Sequence, residues 1–491
     1  MKCLFLLTLF TPLYFMGYSQ LLQPGFDQSE YIEMMKLSAQ FGDSTYRAAL
    51  PPPPEYAHAY RSPVMGLDNR WDLWTRENAL AIISVRGTTE RSESWLANFY
   101  AAMVPAQGDL TISEDYTFSY RLATHPEAAV HVGWLVSTAF LARDILPKID
   151  SCYRAGTREV MIVGHSQGGA IAYLLTAHLY SLQEQGQLPA DIRFKTYCSA
   201  SPKPGNLHFA YAYEARTQDG WAYNVVNSAD WVPEVPVTVQ TIDDFTEPSP
   251  FAHAKESIRQ QKLKARIALT YAYNKLYKPT RKAQQNYQKI LGDFTSRQVK
   301  ALLPGFVPPR YFESNDYVRT GNTITLLADK EYYAWNDQDS AFIFAHHFHP
   351  PYLYLAEKLA FRSTNHATQR TSDDNTSGAL YDTAWELEYL SGPRIAFQGL
   401  FPDKKPLIRF DATTQQVTGT TGCNGYSASY TLENHTISFG EPGPTTMMYC
   451  GEGEKYFLNT LQKVNTYTID AEGKLNLMID EVSMMRFTPV P

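Results

Sequence analysis

The stretch EVMIVGHSQGGAIAYLL, residues 159–175, restricts the fold of this chain more than any other. Val160 to Val163 is a short apolar run, and the residues after Gly169 follow a helical apolar rhythm, so Ser166 stands at a strand-to-helix junction. The flanking glycines permit a tight, strained turn and a close approach of strand and helix. Backbone N–H groups at the start of the new helix then face whatever reacts at the serine. A turn serine needs nothing further. A nucleophilic serine needs a base, an acid to orient that base, and donors for an oxyanion.

Each of these has a candidate. Asp230 follows the strand-like AYNVVN in SADWVPEVP, where prolines stop the strand and leave the carboxylate at its end. For the base, AFIFAHHFHPPYLYL offers His346, His347 and His349, and local chemistry alone does not choose among them. The two prolines after His349 fix its loop and can present the imidazole towards the serine, whereas the other two read as packed or solvent-facing. The order Ser166, Asp230, His349 is the Ser, Asp, His order of α/β-hydrolases. For the oxyanion, one donor is expected from the backbone N–H of Gln167, directly after the serine. A second is expected from the loop in IISVRGTTERSESW, where Thr88 offers an N–H and a hydroxyl.

Along the chain, ALAIISV, VMIV, FKTYCSA and AYNVVN alternate with helical patterns, which argues for a mostly parallel sheet covered by helices on both faces. The polar, turn-rich residues 363–382 read as a linker. After it come short strand candidates, LIRFDA, TISFG, KLNLMI and SMMRFTPV, so the C-terminal residues 383–491 read as a small β-rich module. One segment departs in charge: residues 251–300 hold twelve Lys or Arg against Glu256 and Asp293, a local +10 in a chain of net charge -7. There Lys255, Arg259, Lys262 and Arg266 recur at helical spacing beside Leu263, Ile267 and Tyr271. A basic amphipathic helix of this kind suits contact with an anionic membrane surface, or is simply a solvated face. The net charge argues against a nucleic-acid partner for the protein as a whole.

The N-terminal MKCLFLLTLFTPLYFMGYSQ has one lysine, a short apolar run, and Gly17 and Ser19 spaced as a cleavage site before Gln20 requires, so residues 1–19 read as a secretory signal peptide. The expected destinations are the periplasm, the cell envelope or the medium. In an oxidising compartment Cys423 and Cys450 are the expected pair, while Cys198, within a strand-like run, reads as a small buried hydrophobe. No cysteine and histidine spacing suggests a metal site.

The motifs SVRGTTERSESWLANF, VHVGW, VGHSQGGAIAYLL, SASPKPGN, VVNSADWVPEVP and HPPY, in this order, resemble those of the fungal-type class 3 lipases. The resemblance covers most of residues 26–359. It implies an α/β-hydrolase fold over residues 20–362, within which the basic segment at about 251–300 reads as a helical insertion. It also implies Ser166 as nucleophile, Asp230 as acid, His349 as base, Thr88 and Gln167 as oxyanion donors, and no metal or other cofactor. Two positions depart from the family pattern: Trp134 replaces a phenylalanine, and Ala200 a glycine, changes that read as packing. From Asp230 to His349 is 349 - 230 = 119 residues, longer than usual for the family. In the C-terminal region WELEYL, PLIRFD, VTGTTGCNGYSASY, TISFG, TTMMYC, EKYFLNTLQKV and KLNLMI resemble the META domain of bacterial envelope proteins. This implies a compact α+β fold with Asn424 as a structural or binding residue.

The expected function is an exported serine hydrolase cleaving carboxylic esters of lipids, acylglycerols or phospholipids, through an acyl-enzyme. Trp95, Leu96, Phe99, Tyr100 and Met103 can form an apolar lid face. Two alternatives stand beside it: an esterase on soluble esters, and a non-catalytic envelope scaffold.

Overall fold

The computed structural model describes residues 21–359 apart from 78, 247–248, 252 and 337–341. In the C-terminal part it describes 380–381, 383–391, 400–401, 404–433, 436–444, 452–470, 473–479 and 482–490. The expected signal peptide, Cys450 and nearly all of the expected linker lie outside the described residues. The chain divides into two compact units, Met1–Arg362 and Ser363–Pro491.

The first unit is built on a seven-stranded sheet of β1 (Ala57–Arg61), β2 (Trp71–Arg76), β3 (Leu80–Val85), β4 (Glu159–His165), β5 (Arg193–Ser199), β6 (Ala222–Asn227) and β7 (Asn322–Leu326), in that spatial order. The first three strands pair antiparallel and β3 to β7 pair parallel. Strand β7, NTITL within TGNTITLLAD, lacks an apolar sequence signal because most of its residues are polar or exposed, as suits an edge strand.

The strands are apolar almost throughout because each face meets helices. Ile83, Val85, Val160 and Ile162 pack with Leu135, Ile145, Leu174 and Leu175 of α3 (Val132–Arg154) and α4 (Gln167–Glu184). The alternate residues Leu80, Ile82, Met161, Val163 and Val225 pack on the other face with Tyr31, Met34, Met35 and Leu355 of α1 (Gln28–Ser38) and α7 (His349–Glu357). Each such side chain contributes roughly 1.5–3 kcal/mol when withdrawn from water, and the period-2 split fixes the register of every strand. The parallel pairings bring Val85 level with Gly164, His165 with Ser199, and Asn227 with Leu326. The loops that leave these carboxyl ends therefore share one edge of the sheet, where open α/β sheets hold their sites.

Between β6 and β7 runs the basic segment. Its main element is α5 (Leu263–Gln288), continued by a π-helical turn, Lys289–Phe294, and α6 (Thr295–Leu302). Helix α2 (Ser92–Phe99) follows β3. Among the described residues no helix is long and apolar enough to cross a membrane.

Among the described residues the second unit has an antiparallel nine-stranded sheet and a helix, Glu452–Leu461; the strands are β8 (Ala384–Leu390), β9 (Leu407–Asp411), β10 (Gln416–Thr420), β11 (Gly425–Glu433), β12 (Thr436–Phe439), β13 (Gly443–Pro444), β14 (Thr466–Ile469), β15 (Leu475–Ile479) and β16 (Val482–Val490). The spatial order is β10-β9-β8-β16-β15-β14-β12-β11-β13, and a further pairing of β10 with β11 closes the sheet on itself. Closure removes the exposed edges that an open antiparallel sheet would offer. Trp385, Phe410, Tyr430, Phe457 and Phe487 fill its core. Cys423 is disulfide-bonded. Asn424 is buried, its amide donating to Glu454 Oε2 at 2.9 Å and its backbone N–H to Thr421 Oγ1 at 3.1 Å, which makes it part of a turn.

The β4-to-α4 turn tolerates no side chains at its glycines. A Cβ on Gly164 would lie 2.2 Å from the carbonyl oxygen of Gly168, and one on Gly168 would lie 2.2 Å from that of Val85. Gly164→Ala and Gly168→Ala are each expected to cost about 1–3 kcal/mol or more through overpacking against backbone. Denaturant melts check this, and parental stability in both variants would refute the steric account.

Candidate active site

Ser166 links β4 to α4 with φ 61° and ψ -130°, a left-handed conformation for a residue that bears a Cβ. Its neighbours His165 and Gln167 are buried while Ser166 itself is partly exposed. At the start of α4 the N–H groups of Gly169 and Ala170 bond the Ser166 carbonyl at 2.9 and 3.3 Å, and the N–H groups before them have no carbonyl one turn back within the helix. Gly87, in the loop leaving β3, lies against it: a Cβ there would be 3.6 Å from Ser166 Cβ and 3.0 Å from the His165 carbonyl oxygen. Thr88 follows directly.

That loop is held from outside. Buried Asp68 accepts from Arg86 Nη2 at 3.0 Å and Thr89 Oγ1 at 2.6 Å, and pairs with Arg91 at 3.3 Å. Asn98 of α2 ties it to the helix start. Its Oδ1 accepts from Trp134 Nε1 at 3.0 Å and from Gln167 Nε2 at 2.8 Å, while its Nδ2 donates to Thr88 Oγ1 at 3.0 Å. An indole nitrogen only donates, so the orientation of the Asn98 amide is fixed, and the Thr88 hydroxyl keeps its own proton for another acceptor. Trp134 thus has a polar task besides packing. Ala200 adopts φ 49°, the left-handed conformation that explains a preference for glycine at that position.

Asp230 lies just beyond β6, 4% exposed. Its Oδ1 accepts from the Val232 N–H at 3.0 Å, and its Oδ2 accepts from Tyr352 Oη at 2.7 Å and lies 2.8 Å from His347 Nδ1. The expectation of His349 as the partner of the acid is corrected here: the histidine on Asp230 is His347. His349 is the first residue of α7, started by the two prolines, and both of its ring nitrogens are engaged elsewhere. Nδ1 lies 2.9 Å from Tyr46 Oη and Nε2 lies 3.1 Å from Ser38 Oγ. His346 is also engaged, its Nδ1 lying 2.8 Å from Tyr332 Oη. Among the described residues nothing bonds Nε2 of His347, so this nitrogen is free for a proton-bearing partner.

One contact joins the two halves of the site. His165 Nε2 lies 2.6 Å from the carbonyl oxygen of His347, an atom that only accepts, so Nε2 carries the proton. Nδ1 then accepts from Ser199 Oγ at 3.1 Å, and Ser199 Oγ in turn takes the Tyr31 hydroxyl proton at 2.8 Å. The residue before Ser166 therefore holds the backbone of the histidine that meets Asp230. Aromatic rings surround this region. Phe344 is 5.8 Å from His347, 6.3 Å from Trp95 and 5.6 Å from Trp231, and Trp95 stacks on Phe99 at 6.1 Å. Phe99 is 56% exposed, Ile343 65% and Phe348 44%. Of the expected lid face, Tyr100 and Met103 are fully buried core residues, Trp95 and Leu96 are partly buried, and Phe99 is exposed.

Residues 82–240 match the family described as Lipase (class 3), and residues 378–490 match the META domain. A curated relative, secreted mono- and diacylglycerol lipase 1 of Fusarium solani, is 28% identical over 172 residues, which is 33% of this chain and 49% of that protein. The chain thus spans about half the length of the curated relative it matches. Among solved structures, a lipase from Rhizopus microsporus var. chinensis is 20% identical with a TM-score of 0.32, covering 43% of this chain and 69% of its own. The triacylglyceride lipase of Rhizomucor miehei is 19% identical with a TM-score of 0.32, covering 44% and 77%.

The histidine cluster makes stability depend on pH. Burial, reinforced by the neighbouring His347, lowers His349 from 6.5 to about 3, and burial also holds His165 well below the ordinary imidazole value. The unfolded chain binds protons at these rings from about pH 6.5 downwards while the folded one does not. The stability they contribute is therefore complete above pH 6.5 and is lost as pH falls from there towards 3, at no more than about 1.4 kcal/mol per pH unit for each ring. Thermal melts between pH 7.5 and 5 should show this decline, and His349→Gln should make it shallower. An unchanged slope in the variant would remove His349 from the account.

Proposed function

We infer, for a chain that carries a class 3 lipase domain over residues 82–240 and a META domain over residues 378–490, that it is an exported carboxylic ester hydrolase acting on lipid esters through an acyl-enzyme. The observation that supports this reading is the hydrogen bond from His165, the residue before Ser166, to the carbonyl of His347, whose ring meets Asp230.

In this mechanism His347 Nε2 takes the Ser166 hydroxyl proton as Oγ attacks the ester carbonyl. Asp230, oriented by Val232 and Tyr352, fixes the tautomer with the proton on Nδ1 and stabilises the imidazolium. The oxyanion is met by the N–H of Gln167 and by the N–H and free hydroxyl proton of Thr88. Protonated His347 then delivers its proton to the leaving alcohol, and the same ring activates the water that releases the acid. Asn98 acts as a positioning residue, because it holds Thr88 and the Gln167 side chain with one amide. The exposed apolar side chains of Phe99, Trp231, Ile343 and Phe348 favour an apolar acyl group over a wholly polar ester.

Export accords with the N-terminal apolar segment and with the similarity to a secreted lipase of Fusarium solani. Peripheral contact with a membrane surface through residues 251–300 belongs to the same reading. The META domain is assigned no part in the chemistry, since each residue of the proposed site precedes residue 363.

Ser166→Ala should fold as the parent does and lose ester hydrolysis by at least ~10³, the order expected for one member of a group that acts as a unit. Undiminished turnover by the pure variant would end the proposal.

His347→Ala should be comparably inactive, whereas His349→Ala should turn over a soluble ester at a rate near the parent's while melting lower. The reverse pattern in steady-state kinetics would restore His349 as the base.

A further inference from the structure

Helix α5 is anchored over its second half and bare over its first. Arg281 pairs with Glu313 and Asp243, Tyr277 Oη donates to Asp243 Oδ2 at 3.1 Å, and Gln284 is buried. Every residue from 263 to 272 is exposed. Leu263 is 63% exposed, Ile267 62% and Tyr271 66%. At i, i+4 and i+8 these three form one stripe, and Arg266, Lys275 and Lys278 share its face. Lys264, Arg266, Lys275 and Lys278 make no ion pair among the described residues.

We propose that the first half of α5 docks flat on an anionic lipid bilayer, with Leu263, Ile267 and Tyr271 below the headgroups and Lys264, Arg266, Lys275 and Lys278 on the lipid phosphates. The inference rests on the lipid-ester reading and adds the surface that would bring the enzyme to its substrate. A second copy of this segment is excluded as occupant by charge, because it would set +10 against +10. A nucleic acid would satisfy the cations and leave the apolar stripe in water, whereas a bilayer interface satisfies both. The segment is also joined to the candidate site. The turn after α5 bonds β-side backbone near α2, Ala102 N–H donating to the Leu291 carbonyl at 3.3 Å, and α6 packs on α2 itself. Helix α2 carries Trp95, Asn98 and Phe99.

The test is co-sedimentation of the full chain carrying Ser166→Ala, which leaves the lipid intact, with vesicles of phosphatidylcholine alone or mixed with phosphatidylglycerol. Partition should require the anionic lipid and weaken as salt rises towards ~1 M, where the Debye length is about 3 Å. Lys264→Gln, Lys275→Gln and Lys278→Gln combined should lower partition at least ~10-fold, given the energy each cation gains near such a surface. The corresponding Lys→Arg set should bind as the parent does, and Ile267→Ser with Tyr271→Ser should abolish the binding that survives high salt. On an otherwise parental chain, none of these changes should alter hydrolysis of a soluble ester. Equal partition onto both vesicle types, no effect of either set, or tighter binding of single-stranded DNA than of vesicles would overturn the docking proposal. A chain with Ser166 that binds vesicles and hydrolyses no ester would instead retire the hydrolase reading and leave the docking standing.

Discussion

A carboxylate withdrawn from water at the end of a strand must be met by donors, and at Asp230 those donors come from its own loop and from a segment more than a hundred residues later. Val232 supplies a backbone N–H from the same loop, Tyr352 a hydroxyl from α7, and His347 a ring nitrogen from the segment before that helix. With its side chain fully buried, removing any of these leaves part of a charge uncompensated. The contacts that satisfy this carboxylate therefore also fix the His347 imidazole against it.

The turn between β4 and α4 depends on a different constraint, steric rather than electrostatic. Strand β4 and helix α4 approach so closely that Gly164 and Gly168 have backbone oxygens where a Cβ would sit. The strained φ of Ser166 is held by this packing on both sides and by its N–H donating to the Ser199 carbonyl at 2.9 Å. Strain at such a turn lifts one side chain clear of a buried sheet.

These two kinds of constraint explain what could be read from the sequence. A steric turn admits few residues, so GHSQGG announces itself. Alternating burial between two helix layers requires continuous apolar strands, so β3 to β6 were legible, as were several strands of the C-terminal sheet. Asp230 was legible because the prolines after it end the strand. The choice among three histidines within four residues was not. Prolines do mark His349, but they mark the start of α7, and its ring is claimed by Tyr46 and Ser38, residues 303 and 311 positions away in the chain. No local pattern carries that information. Asn98 and Asp68 were missed for the same reason: each is an ordinary polar residue until its distant partners are in place.

The long interval between Asp230 and His347 becomes intelligible in the same terms. Strand β6 ends at Asn227 and β7 begins at Asn322, 322 - 227 = 95 residues later, and the two still pair in parallel register. Loop-closure entropy grows only with the logarithm of length, so each doubling of the connection costs about 0.6 kcal/mol. The β6–β7 ladder fixes where the chain re-enters the sheet, and the Asn227 amide donating to the His346 carbonyl at 3.0 Å fixes where the histidine segment lies. The position of His347 therefore depends on contacts at the two ends of the insertion and not on its contents. That separation leaves the middle of the insertion free to carry a strongly basic, partly bare helix without disturbing the acid–imidazole pair at the sheet edge.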